Sequence, residues 1–167
     1  MSETVRAHVA LGANIGDPRR RVRETMRILD TLPRTRVAAC SALYVTPPWG
    51  GIEQPDFINA AVCLDTGLPP PDLLVALQHL EVQAGRRRGL RNGPRPLDLD
   101  LLLYGDGCWH DDDLDIPHPR LHERAFVLLP LADIAADVMV PGRGRVAELL
   151  ARVDTRGCRR LETVPVS

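Results

Sequence analysis

Apolar positions recur along the chain with two periods, and the switches between them mark its elements. VRAHVALG, residues 5–12, reads as a first strand. GANIGDP then turns it into a helix, with Asp17 as the N-cap and Pro18 in the first helical position. Val22, Met26, Leu29 and Leu32 follow at three- and four-residue spacing, while Arg19, Arg20, Arg23 and Arg27 take other faces. RVAACSALYVT, residues 36–46, predicts a strand, PPWGGIEQPD an irregular loop, and FINAAVCLDT, residues 57–66, a second strand. The two strands make a hairpin with a long connection. PPPDLLVALQHLEVQAG, residues 69–85, is a helix with Leu73, Leu77, Leu80 and Ala84 on its apolar stripe and Gly85 as its stop; Gln78 and Glu81 share a more polar face.

RRRGLRNGPRP cannot continue that helix, because Gly89, Gly93, Pro94 and Pro96 interrupt it, so it is a basic loop. LDLDLLLYG, residues 97–105, is a strand, DGCWHDDDLD an acidic turn, and IPHPRLHERAFVLLPLADIA a loop entering short helices. The remaining residues supply further strands and helices. Strand, helix, strand, strand, helix, strand is the order of a ferredoxin-like α+β sandwich, an antiparallel sheet covered by helices on one face. At 167 residues the chain suits a single domain, residues 1–167.

Composition narrows the function without naming it. The formal net charge is -1, from 21 Arg against 22 Asp plus Glu with no Lys, so neither nucleic acid nor an anionic membrane is an expected partner, and any anion site must be local. Cys40, Cys63, Cys108 and Cys158 form no CxxC pair, which predicts reduced thiols in place of a zinc or redox site. With neither a signal-like start nor an 18-residue apolar span, the expected location is the cytoplasm.

The chemistry gathers around one strand. Asp98 and Asp100 are two apart, so they share a face while Leu97, Leu99 and Leu101 point the other way. Taken alone, the pair reads first as the solvated face of an edge strand. The basic loop changes that reading, because Arg86, Arg88, Arg91 and Arg95 lead directly into it. Paired carboxylates that favour Mg²⁺ or Mn²⁺, set beside guanidinium groups, are a polyphosphate-binding combination. His118, held between two prolines, and Arg124 add possible phosphate donors, although a turn histidine and a helix-capping arginine explain them as well. Phe126 is a candidate ligand-stacking ring or a core residue. Phe57 and Asn59 also share a face, where a ring can stack on a flat ligand and a carboxamide can read its edge.

Four blocks, LGANIGDP, SALYVTPPWGGIEQPDFINAAV, GRRRGLRNGPRPLDLDLLLYG and IPHPRLHERAFVLLPL, occur in an order that resembles the 6-hydroxymethyl-7,8-dihydropterin pyrophosphokinases of folate synthesis. The resemblance covers residues 11 to about 135 and implies transfer of the β,γ-pyrophosphoryl group of ATP to the pterin hydroxymethyl oxygen, with release of AMP. It implies that Asp98 and Asp100 hold two Mg²⁺ ions, and that Gln78, Glu81, Arg86, Arg88, Arg91, Arg95, His118 and Arg124 surround the nucleotide or the transferred charge. Arg86 and Arg95 join the two aspartates as the catalytic set. Phe57 and Phe126 would sandwich the pterin, with Asn59 and the backbone near Thr46, Pro47 and Trp49 reading its polar edge. No dedicated general base is expected, and the loops 47–55 and 86–95 are expected to close over the substrates. The chain departs from some relatives at Asn92, where they carry a tryptophan in a loop one residue longer, and at Asp113, where they carry an arginine. The competing class, a ferredoxin-like RNA-binding module, lacks support, because the chain has only two Phe and no basic excess. A monomer is expected.

Overall fold

β1 (Val5–Ala13) enters α1 (Pro18–Leu29) through the predicted cap, in which the Asp17 carboxylate accepts the Arg20 amide at 3.3 Å. The computed structural model describes residues 3–48, 51–85 and 94–163. The strand predicted over 36–46 is two strands, β2 (Thr35–Cys40) and β3 (Ala42–Thr46), divided at Ser41. Ser41 is fully buried, and its Oγ accepts the Ala61 amide at 2.8 Å and donates to the Ala42 carbonyl at 2.7 Å, so a side chain replaces a ladder bond at the break. Both strands pair with β4 (Phe57–Thr66). α2 (Pro70–Gln83) buries Leu73, Leu77 and Leu80 and stops at Gly85, whose φ of 95° suits glycine.

β5 (Asp98–Tyr104) follows, then a ribbon of β6 (Trp109–His110) and β7 (Asp115–Ile116), a 3₁₀ turn over Leu121–Glu123 and α3 (Ala125–Ala135). A second ribbon of β8 (Met139–Val140) and β9 (Gly144–Arg145) precedes α4 (Val146–Leu150) and β10 (Arg159–Thr163). The main sheet runs β10-β3-β4-β1-β5, with β2 also on β4, and every pairing is antiparallel. This is the predicted ferredoxin-like α+β arrangement, extended by β10.

Helices cover both faces of the sheet, where the sequence reading placed them on one. α1 and α2 pack on Val9, Leu11, Val62, Leu64, Leu99 and Leu101. α3 and α4 pack on Ala61, Leu102 and Leu103 from the other side. Two-sided burial explains why β4 is an almost unbroken apolar run in place of an alternating one. Glu81 also differs from expectation. It is buried, not on a polar face with exposed Gln78, and its Oε2 accepts the Leu99 amide at 2.8 Å, tying α2 to the outer strand.

His8 is the cost of covering the second face. It is 4% exposed, and among the described residues its Nδ1 has no hydrogen-bond partner. Burial, helped by the Arg6 charge, lowers its pKa from 6.5 to about 4. The unfolded chain therefore binds a proton that the folded chain excludes, so the stability linked to His8 is complete above pH 6.5 and is lost as pH falls toward 4. The loss is on the order of 2–3 kcal/mol. Urea melts of His8→Leu should lose less stability than wild type between pH 6.5 and 4.5; equal losses would show that His8 does not carry the term.

Candidate active site

The register of three strands lays out the site. Asn59 on β4 stands opposite Gly12 on β1, and Gly12 stands opposite Asp98 on β5; one step along, Ala61, Ala10 and Asp100 repeat the row. Directly opposed residues share a face, so both carboxylates, the Asn59 carboxamide and two small residues between them all look toward α3. Leu99 and Leu101 face the α2 side at 5% and 3% exposure, as alternation predicts.

Small residues leave a floor, and other elements wall it. A cleft of ≈ 260 Å³ is lined by Ala10, Gly12, Thr46, Pro47, Phe57, Asn59, Arg95, Asp98, Asp100, His118, Arg124 and Phe126, with Leu11 and Val127 completing it. Ten of the predicted site residues therefore converge: Thr46, Pro47, Phe57, Asn59, Arg95, Asp98, Asp100, His118, Arg124 and Phe126. Gln78 is exposed and Glu81 is buried behind β5, and neither lines the cleft. Trp49, Arg86, Arg88 and Arg91 lie outside the described residues, as do Asn92 and most of the arginine loop.

Each wall has its own chemistry. Asn59 is 8% exposed, and its Nδ2 donates to the Thr46 Oγ1 at 2.6 Å, which fixes the carboxamide with its Oδ1 over Gly12. The Arg124 guanidinium sits 5.5 Å from the Phe126 ring centroid. Burial lowers the Arg124 pKa, Asp100 and Asp98 push it back up, and its buried Nε has no hydrogen-bond partner among the described residues. A half-buried cationic donor with spare capacity at Nε, facing two carboxylates, suits a bridging anion. His118 is anchored by its amide to the Leu102 carbonyl at 3.0 Å, and its Nδ1 accepts the Arg120 amide at 3.1 Å. Burial, with Arg124 and Arg120 nearby, lowers its pKa to about 4. At neutral pH the ring is thus uncharged, and the proton sits on Nε2, where it can be donated.

A second cleft, ≈ 290 Å³, adjoins across Asp100 and His118 and is lined by Leu74, Leu99, Leu101, Asp111, Asp112, Asp113, Leu114, Asp115 and Pro119. Two clefts that share a carboxylate and a neutral histidine can hold two reactants on either side of one charged centre. Among the described residues, no group of three or more His, Cys, Asp or Glu side chains converges to hold a metal. The oxygen-only pair Asp98 and Asp100 fits a hard divalent cation that takes its remaining ligands from substrate oxygens and water.

Two residues that the sequence reading left without a role are central here. Gly12 forms the floor, because a Cβ there would lie 2.6 Å from the Asn59 Oδ1. Asn14 links three segments through its side chain and amide. Both stand in LGANIG, where a glycine within an apolar strand signals close approach and an asparagine in a turn signals side-chain to backbone bonding.

Comparison with known proteins agrees with this geometry. Residues 8–136 match the family described as 7,8-dihydro-6-hydroxymethylpterin-pyrophosphokinase (HPPK). A 2-amino-4-hydroxy-6-hydroxymethyldihydropteridine pyrophosphokinase of Pseudomonas aeruginosa is 46% identical over 93% of this chain and 96% of its own length. The enzyme of the same name from Methylorubrum extorquens is 45% identical over 94% and 99%. A crystal structure of a Plasmodium falciparum HPPK-DHPS variant with pterin and p-hydroxybenzoate superposes with a TM-score of 0.75, covering 95% of this chain and 47% of that one. At 14% identity this last likeness bears on the fold alone, and the chain spans about half of that longer protein. The chain belongs to the 7,8-dihydro-6-hydroxymethylpterin-pyrophosphokinase family.

Proposed function

We propose that this ATP-dependent pyrophosphokinase transfers the β,γ-pyrophosphoryl group of ATP to the hydroxymethyl oxygen of 6-hydroxymethyl-7,8-dihydropterin, a step of folate synthesis. The observation that carries the reading is the row Asn59, Gly12, Asp98, which sets an edge-reading carboxamide and a carboxylate on one floor, with Phe57 and Phe126 among the walls. Phe57 and Phe126 take the flat pterin between them, and Asn59 reads its polar edge with the backbone near Thr46, Pro47 and Trp49. ATP lies on the Asp100 and His118 side, its base toward Leu74 and Leu101. The hydroxymethyl oxygen forms a bond to the β-phosphorus, the bond from that phosphorus to the α-phosphate oxygen breaks, AMP leaves, and the hydroxyl proton passes to solvent.

Positioning and charge neutralisation supply most of the acceleration, so no dedicated base is needed. Arg95 and Arg124 take the charge that develops on the transferred group, and the His118 Nε2–H donates to a phosphate oxygen. Arg86, Arg88 and Arg91 are proposed to join them. Two Mg²⁺ ions held by Asp98 and Asp100 would neutralise the triphosphate when bound. Gln78 and Glu81 belong to the nucleotide side at one remove, through α2 and its tie to Leu99. We place the protein in the cytoplasm as a monomer, for which gel filtration should report about the 18.4 kDa of the chain. The deciding assay mixes protein, MgATP and the hydroxymethyl-dihydropterin and should yield AMP in equal amount to the pterin diphosphate. Release of ADP alone, or no turnover by folded protein, would overturn the reading.

A further inference from the structure

We infer that Asn14 is a positioning residue that locks the pterin-side loop to the backbone of Arg95. Asn14 follows the last residue of β1 and is 2% exposed. Its Nδ2 donates to the Gln54 Oε1 at 2.8 Å and to the Pro55 carbonyl at 2.9 Å. Its Oδ1 accepts the Arg95 amide at 2.8 Å, and its own amide donates to the Arg95 carbonyl at 3.0 Å.

Asparagine is required by this count. Two donors face two acceptors on the loop, while an acceptor faces an amide on the other side, and a carboxamide alone among short side chains supplies both. Aspartate would keep the bond to Arg95 and lose both bonds to the loop. Alanine would lose all three side-chain bonds and leave buried groups without partners.

The two segments that Asn14 joins serve different substrates in the proposed reaction, on which this inference rests. Gln54 and Pro55 lead into Phe57, a cleft wall on the pterin side, and Arg95 leads into Asp98 and Asp100. A shift of the loop is therefore passed to the Arg95 backbone through Asn14, so seating of the pterin and placement of the phosphate-facing arginine become one event. That is a positioning role, because Asn14 itself does not line the cleft.

The test is steady-state kinetics with each substrate varied in turn, alongside thermal melts and equilibrium binding of a pterin that lacks the hydroxymethyl group. Asn14→Asp and Asn14→Ala are expected to raise KM for the pterin about tenfold and to weaken the unreactive pterin by a similar factor, with KM for ATP within about twofold of wild type. kcat should fall about threefold in Asn14→Ala, as Arg95 loosens, and stay near wild type in Asn14→Asp, which keeps that bond. Gln54→Ala should raise the pterin KM about threefold, and adding it to Asn14→Ala should cost nothing more. Folded variants with wild-type kinetics, or with both KM values raised alike, would overturn the inference in favour of a merely structural asparagine. If the Asn14 variants do not fold, Gln54→Ala decides: folded protein with an unchanged pterin KM overturns it, and a raised one supports it. Failure of wild type to release AMP would instead defeat the pyrophosphokinase reading, while binding of the unreactive pterin still reports on Asn14.

Discussion

Asp98→Ala and Asp100→Ala should each lower turnover about a thousandfold, a barrier increase of about 4 kcal/mol, while the protein stays folded. Both carboxylates are half-buried on a floor of Ala10 and Gly12, and neither belongs to the apolar clusters that hold the helices to the sheet. Removing one therefore opens no cavity in the core, and the melting temperature without metal should move by only a few degrees. What would be lost is half of the proposed oxygen-only cation site, which has no third protein ligand among the described residues to compensate. The Asn variants separate charge from shape, since Asp98→Asn and Asp100→Asn keep the volume and should lose activity to the same degree. Added Mg²⁺ should raise the melting temperature of wild type in the presence of a non-hydrolysable ATP analogue and should not do so for the variants. Near-normal turnover at limiting Mg²⁺ in either variant would show that the pair does not hold the metal.

The same strand shows how much the sequence disclosed. Alternation across Leu97, Asp98, Leu99, Asp100 and Leu101 was enough to put the carboxylates on one face, and the structure keeps them there, because register is enforced by what Leu99 and Leu101 bury. The caps and stops of α1 and α2 were legible for a similar reason: Asp17, Pro18 and Gly85 act within a few residues of themselves. The division of residues 36–46 was not legible, because Ser41 breaks the strand by bonding to Ala61, twenty residues away. The covering of the second face had a signal that one-faced sheets do not produce. INAAVCL in β4 and LLL in β5 lack alternation because α3 and α4 lie over them.

The site itself was half legible. Charged and aromatic members declare their chemistry by residue type, so Arg95, Asp98, Asp100, His118, Arg124, Phe57 and Phe126 could be picked out, and they line one cleft. Gly12 and Asn14 do their work by space and by hydrogen bonds to segments 40 to 80 residues distant, and the local signals in LGANIG do not say which segments those are. Glu81 misled because helical spacing places it one turn from Gln78, while the tie to the Leu99 amide turns it inward.

Gly12→Ala should then be nearly as damaging as loss of a carboxylate, although it adds one methyl group. The new Cβ would lie 2.6 Å from the Asn59 Oδ1, about 1 Å inside ordinary contact. Asn59 cannot yield cheaply, because its Nδ2 is committed to the Thr46 Oγ1 at 2.6 Å and the side chain is 8% exposed. Nor can the strands part at that point, since Gly12 is paired with Asn59 on one side and Asp98 on the other. The carboxamide must swing out of the position from which it would read the pterin edge. KM for the pterin should rise about a hundredfold and kcat fall severalfold, with KM for ATP within about twofold, because a site built to hydrogen-bond one edge discriminates strongly when that group is misplaced. A double variant isolates the cause: with Asn59→Ala in place, the methyl group has nothing to strike, so Gly12→Ala/Asn59→Ala should be no worse than Asn59→Ala alone. If the two losses multiply instead, Gly12 acts through something other than the Asn59 carboxamide, and the floor of the site is not what holds that group in place.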